Sequence, residues 1–226
     1  MPSSSSASVA GEAGQSLDTL RQEFKAVAAE SWCHNFDLAA DGQFVPAESL
    51  RYRSTVLVGV FQSLFAGREV LVLDETTGLF PLLAARAGAL RVTANNPNPR
   101  NCALMEMMAR SFQVPLAIRN DALIKFEGSD ILVDVQAGEK HAYMFVQNRI
   151  WPLYCAARRS FNDVVDACAH YVTDGVVIDW TDARWAKPPV EYNRAAFHDA
   201  LRRRFEFVLA CNDWLTVALG KLVPPC

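Results

Sequence analysis

The sequence predicts an α/β fold built on a doubly wound, mostly parallel open sheet, and three observations carry that reading. Val70–Leu73 is a continuous branched apolar run, the pattern of a strand buried on both faces. Gly78 follows, and Leu79, Leu82 and Leu83 then recur at helical spacing before Gly88 and a second strand at Arg91–Ala94. Further along, strand-like and helix-like segments alternate and close on a hairpin, the order of a βαβ architecture rather than of a bundle or sandwich.

Each element has its own local warrant. Residues 1–15 are rich in Ser, Ala and Gly and are expected to form a disordered tail. Ser16 is placed to cap a helix over Leu17–Glu30, with Leu17, Leu20, Phe24 and Val27 as its apolar stripe. A Trp32–Val45 connector with a turn at Asp41-Gly42 leads to a second helix, Ala47–Phe65, whose Leu50, Leu57, Val60, Phe61 and Leu64 face inward. After the first βαβ unit, apolar residues at 102, 105, 108, 109 and 112 mark a helix over Arg100–Phe112. Pro115–Ile118 and Ile131–Val135 offer short strands, and Tyr143–Val146 reads as a central one. Ser160 and Asp163 form a capping signal for a helix bearing Phe161, Val164, Val165 and Cys168. Val176–Ile178 is another buried strand; a helix with Phe197, Ala200, Leu201 and Phe205 follows the Lys187-Pro188-Pro189 breaker. Glu206–Ala210 and Leu215–Leu219 read as a terminal hairpin. The expected organisation is one domain over residues 16–226, with a helical cover at 16–66 and the α/β core at 67–226.

Composition excludes several functions. The 226 residues carry 22 basic and 25 acidic side chains, and no basic run is interleaved with aromatics, so nucleic acid is not an expected partner. Arg202–Arg204 reads as a solvated helix face. The six cysteines contain no CxxC pair, so neither a zinc cluster nor a redox dithiol is expected, and Cys102 and Cys168 read as buried thiols. No apolar stretch reaches the length of a membrane span, and the N-terminus lacks the order of a signal peptide. The expectation is a soluble cytoplasmic protein with no metal and no membrane contact. The four histidines have no partner at ligand or dyad spacing and are assigned surface or cap roles.

Three segments together resemble the class I S-adenosylmethionine-dependent methyltransferases: VLVLDETTGLFPLLAARAGALRVTANNPNP, YMFVQNRIWPLY, and FNDVVDACAHYVTDGVVIDWTD followed by YNRAAFHDALRRRFEFV. The resemblance implies a Rossmann-like methyltransferase sheet with a C-terminal antiparallel hairpin. It also implies a cofactor crevice beyond the carboxyl ends of the strands. The family's first motif, acidic-x-Gly-x-Gly-x-Gly, falls on Val72, Asp74, Thr76 and Gly78, so only the last glycine is kept. The acid that grips the ribose falls on Asn96, and the acid beside the adenine falls on Asp121. Side chains at the first two glycine positions block backbone approach, and a turn needing positive φ there is strained by on the order of 1 kcal/mol or more. Asp74 repels the cofactor's own carboxylate, and Asn96 lacks the charge-assisted strength of an acid. Together these changes weaken the usual cofactor pose by about a thousandfold or more.

The resulting expectation is a degenerate methyltransferase, or pseudoenzyme, that binds S-adenosylmethionine weakly or not at all. It would act as a partner subunit or on another ligand in the crevice, with a protein, a small molecule or a second copy of itself as partner. The alternative is an active small-molecule methyltransferase with a divergent cofactor loop. Asp74 and Glu75 stand as crevice carboxylates or as turn formers, and Asp121 as a base contact or a turn residue. Asn148, Arg149, Trp151 and Tyr154 follow the central strand, where the family places substrate-facing groups. Arg149 either holds an anion or is solvated; Trp151 and Tyr154 either wall the pocket or pack the loop. Asp179 and Asp182 read as rim acids beside a core-anchoring Trp180.

Overall fold

The computed structural model describes residues 19, 22, 36–38, 44–46, 48–73, 78–127, 130–133, 139–147, 161–179, 194–212 and 214–220. The helix expected over Leu17–Glu30 lies outside these residues except for Thr19 and Gln22, which are helical. Ser160, Trp180 and Asp182 also fall outside them. Among the described residues no helix is long and apolar enough to cross a membrane.

Seven strands form one sheet. Glu69–Leu73 (β3), Arg91–Asn95 (β4) and Leu116–Arg119 (β5) run parallel on one side; His141–Gln147 (β8) and Val172–Asp179 (β9) continue parallel on the other. Leu215–Leu219 (β11) inserts antiparallel between β9 and the edge strand Phe207–Ala210 (β10). The spatial order is β10-β11-β9-β8-β3-β4-β5. The chain thus winds outward in one direction from β3 and in the other from β8. Such a reversal opens a crevice at the carboxyl ends of β3 and β8.

Alternation along each strand splits the core into two layers. Val70 and Val72 pack with Phe145 and Val177 under Glu48–Leu64 (α1), Leu79–Arg86 (α2) and Pro99–Phe112 (α3). Leu71 and Leu73 face the opposite layer with Met144, Val146, Val176 and Ile178, beneath Phe161–His170 (α4) and Arg194–Arg202 (α5). A strand covered on both faces must be apolar at consecutive positions, which is why VLVL has no polar member. The α1 cover is fastened by aromatic contacts: Phe61 meets Phe145 edge-on at 5.1 Å, and Phe80 reaches the same ring from α2 at 4.9 Å. Gly175 sits where β9 is bonded on both sides; a Cβ there would lie 2.5 Å from the Ala218 carbonyl oxygen.

Several expectations need correction. The Trp32–Val45 connector contains an antiparallel hairpin, Phe36–Leu38 (β1) with Phe44–Pro46 (β2). The strand read at Ile131–Val135 is Asp130–Val133 (β7); it pairs with Ile124–Glu127 (β6) as a separate hairpin. Leu123, just before that hairpin, is buried in the α4/α5 layer, and its carbonyl accepts a 2.6 Å hydrogen bond from the Tyr171 hydroxyl. His141 is not a surface residue: it is 3% exposed at the start of β8. Arg204 is not solvated, because its guanidinium meets the Asp166 carboxylate at 2.9 Å and ties the end of α5 to α4. The buried thiols are as expected, and burial pushes Cys168 up to about 12.

Candidate functional site

The carboxyl ends of β3, β4 and β5 lie side by side, which brings Gly78, Asn96 and Asp121 to one end of the sheet. Asp74, Thr76, Asn148, Arg149, Trp151 and Tyr154 lie outside the described residues.

Gly78 starts α2 with φ 84° and ψ 0°, a left-handed conformation that an L side chain adopts only with strain. Its Cα also faces α3 closely: an added Cβ would lie 3.3 Å from Met105 Cγ. The retained glycine therefore serves the junction between β3, α2 and α3 whether or not a ligand approaches it.

The end of β4 is a run of carboxamides. Asn96, 2% exposed, accepts from the Asn98 backbone N–H at 2.8 Å and from Asn101 Nδ2 at 3.3 Å through Oδ1. Asn98 then caps α3, accepting from the Arg100 N–H at 3.0 Å, with Pro99 in the first turn where no N–H is needed. The Cys102 thiol donates to the Asn96 carbonyl at 3.1 Å. The sequence N-N-P-N-P thus builds a helix start that consumes the Asn96 acceptor locally.

Asn95 was not singled out by the sequence, yet it does most to join the two loops. It is 1% exposed, and Nδ2 lies 2.8 Å from the Asp121 carbonyl, 3.2 Å from Asp121 Oδ1 and 3.4 Å from the Arg119 carbonyl. Asp121 also takes both arms of Arg119: Nε donates to Oδ1 at 3.2 Å, and the terminal nitrogen meets Oδ2. The Asp121 carboxylate is therefore engaged by an arginine from β5 and a carboxamide from β4. A tandem Asn pair ending a strand, with an Arg-x-Asp step after the next, is the sequence signal for this lock.

Asp179 ends β9 as a fully buried carboxylate, not a rim acid, in register with Gln147 at the end of β8. Among the described residues no group of His, Cys, Asp or Glu could hold a metal ion.

No family model and no curated protein matches the chain by sequence. Solved structures match by fold. The N-terminal domain of EvdMO1, with SAH bound, is 12% identical with a TM-score of 0.64, over 93% of this chain and all of that one (100%). The bifunctional kinase-methyltransferase WbdD is 12% identical with a TM-score of 0.60, over 87% of this chain and 46% of that one. The N-methyltransferase NodS from Bradyrhizobium japonicum WM9 is 14% identical with a TM-score of 0.52, over 76% of this chain and 95% of that one. The chain has the Rossmann-like fold of the class I S-adenosylmethionine-dependent methyltransferases and is methyltransferase-like in architecture. At these identities the likeness is one of fold.

Proposed function

We propose that this protein is a methyltransferase-fold pseudoenzyme that has lost ordinary S-adenosylmethionine binding and uses its crevice, or its surface, to bind another ligand or a protein partner. The observation that carries the reading is the mutual engagement of the polar groups at the ends of β4 and β5. Asn96 Oδ1 already accepts from Asn98 and Asn101, and the Asp121 carboxylate already accepts from Arg119 and Asn95. A ribose diol seeking Asn96 Oδ1, or an adenine amino group seeking Asp121 Oδ1, would compete with these bonds, and a buried donor left unpaired in the exchange costs about 1–3 kcal/mol. Asp74 and Thr76 in place of glycines add to the loss for the reasons given by the sequence. The proposal is tested by restoring the family's residues. Asn96→Asp combined with Asp74→Gly, measured calorimetrically against S-adenosylhomocysteine, is expected to bind at least about tenfold more tightly than the natural chain. No gain in a folded double variant overturns this account of the loss.

A second reading, an active small-molecule methyltransferase with a divergent loop, is favoured by one observation: Gly78 keeps its left-handed start to α2, so that helix still presents its positive end at the close of the β3 loop. Methyl transfer to any small acceptor, with production of S-adenosylhomocysteine, establishes that reading instead.

A further inference from the structure

We propose that the β10 edge of the sheet is a homodimer interface, in which β10 pairs antiparallel with β10 of a second copy about a two-fold axis through Val208. Phe207 and Leu209 are 56% and 55% exposed on this strand. Their partners across the ladder, Leu219 and Val217, belong to the α1 side of the core, so the two side chains extend that layer past its last covered strand. Phe207–Ala210 carries no charge and no proline, the usual means by which an edge strand resists pairing.

The backbone favours a self-match. The Cys211 N–H donates to the Leu215 carbonyl at 2.9 Å, which makes 211 and 215 a hydrogen-bonded pair. Antiparallel alternation then turns the backbone groups of Phe207 and Leu209 inward to β11, and those of Val208 and Ala210 outward, to an edge that is open among the described residues. A two-fold axis at Val208 pairs Val208 with itself and Ala210 with Glu206, so all the outward groups are used and no like charges face each other. It also sets Phe207 opposite Leu209 twice, in the closer, non-hydrogen-bonded positions where cross-strand side chains touch. An axis at Leu209 would instead set Phe207 opposite Cys211 and break up this apolar cluster. The four half-exposed side chains bring together on the order of 400 Å² of apolar surface. That area is below the roughly 1,000–1,200 Å² at the low end of stable assemblies, which is why the association is expected to depend on concentration. The occupant that fits is a second copy, held in a concentration-dependent dimer.

Sedimentation velocity on the full chain from about 1 µM to about 200 µM tests this. The natural protein is expected to shift from monomer to dimer across that range. Leu209→Lys is expected to stay monomeric throughout, whereas Leu90→Lys, at another exposed apolar residue (69% exposed), dimerises like the natural chain. Phe207→Thr gives a second disrupting variant in case Leu209→Lys does not fold. In a Cys211→Ser background, Val208→Cys is expected to yield an oxidised dimer whose disulfide maps to position 208 in both chains. A natural protein monomeric at every concentration overturns the proposal and leaves the strand to a different partner. Folded Leu209→Lys and Phe207→Thr variants that still dimerise overturn the interface, and a dimer without the 208–208 disulfide overturns the register.

Discussion

Asn95→Asp and Asn96→Asp make the same chemical change at adjacent buried positions, yet the first should be far more costly than the second. At Asn95 the amide nitrogen faces three oxygens, at 2.8, 3.2 and 3.4 Å, one of them in the Asp121 carboxylate. A carboxylate there loses every donor and sets a second negative charge beside the first. The unpaired acceptors cost about 1–3 kcal/mol. Two charges 4 Å apart repel by about 4 kcal/mol at an effective dielectric constant near 20, part of which the Arg119 guanidinium offsets. The net destabilisation is about 3–5 kcal/mol, a large share of the 5–15 kcal/mol typical of a whole domain. At Asn96 the side-chain oxygen is the working group, accepting from Asn98 and Asn101 beside the start of α3. A carboxylate keeps both bonds, and its gain from the positive end of the helix offsets the cost of placing a charge at a position only 2% exposed, so the change should stay within about 1 kcal/mol. Urea unfolding near neutral pH, followed by tryptophan fluorescence, should place the Asn95→Asp midpoint about 2 M below that of the natural chain and leave Asn96→Asp within about 0.5 M. An Asn95→Asp midpoint equal to the natural one, or an equal fall for both variants, refutes the lock between β4 and β5.

Glycine substitutions should separate backbone strain from steric exclusion. Gly175→Ala, with its Cβ 2.5 Å from a sheet carbonyl, is expected to lower Tm by about 6–12 °C, whereas Gly78→Ala, whose main contact is the flexible Met105, costs about 3–6 °C through its positive φ. Calorimetric scans showing equal losses contradict that ranking. Burial holds the His141 pKa below its ordinary value of 6.5, against the opposing influence of Glu139 and Glu69 and with that of Arg91 and Arg119. The unfolded chain therefore takes up the proton first as pH falls through 6.5, and stability declines from there towards the folded pKa. Urea midpoints compared across that window should fall for the natural chain and fall less for His141→Gln; parallel profiles count against the assignment.

Most of the sheet is legible in apolar period and glycine punctuation. VLVL at Val70–Leu73 and VVI at Val176–Ile178 state burial on both faces, and Gly78 and Gly88 mark where the chain turns. Pairing is less legible. Ile131–Val135 reads as a generic strand, Ile124–Glu127 carries no strand reading, and nothing local says that this stretch forms a hairpin of its own rather than joining the main sheet. The β1–β2 hairpin has a local signal, because Asp41-Gly42 lies between the short apolar pairs Phe36/Leu38 and Phe44/Val45. At the site, Asn96 and Asp121 were legible as positions through the family resemblance, but their hydrogen-bond partners were not. Asn95 reaches Asp121 across 26 residues of chain, a contact that only the folded geometry makes, whereas Asn101 reaches Asn96 across 5 and Arg119 reaches Asp121 across 2. His141 shows the converse limit: a polar residue at a strand start looks exposed until neighbouring elements cover it.

The central claim is that this crevice does not hold the usual cofactor in the usual way. Isothermal titration of the natural full chain with S-adenosylmethionine and, separately, with S-adenosylhomocysteine addresses it directly. The account predicts no saturable heat, or a Kd weaker than about 100 µM, for both. A Kd of about 10 µM or tighter for either one contradicts it and turns the question to which acceptor, if any, the bound cofactor methylates.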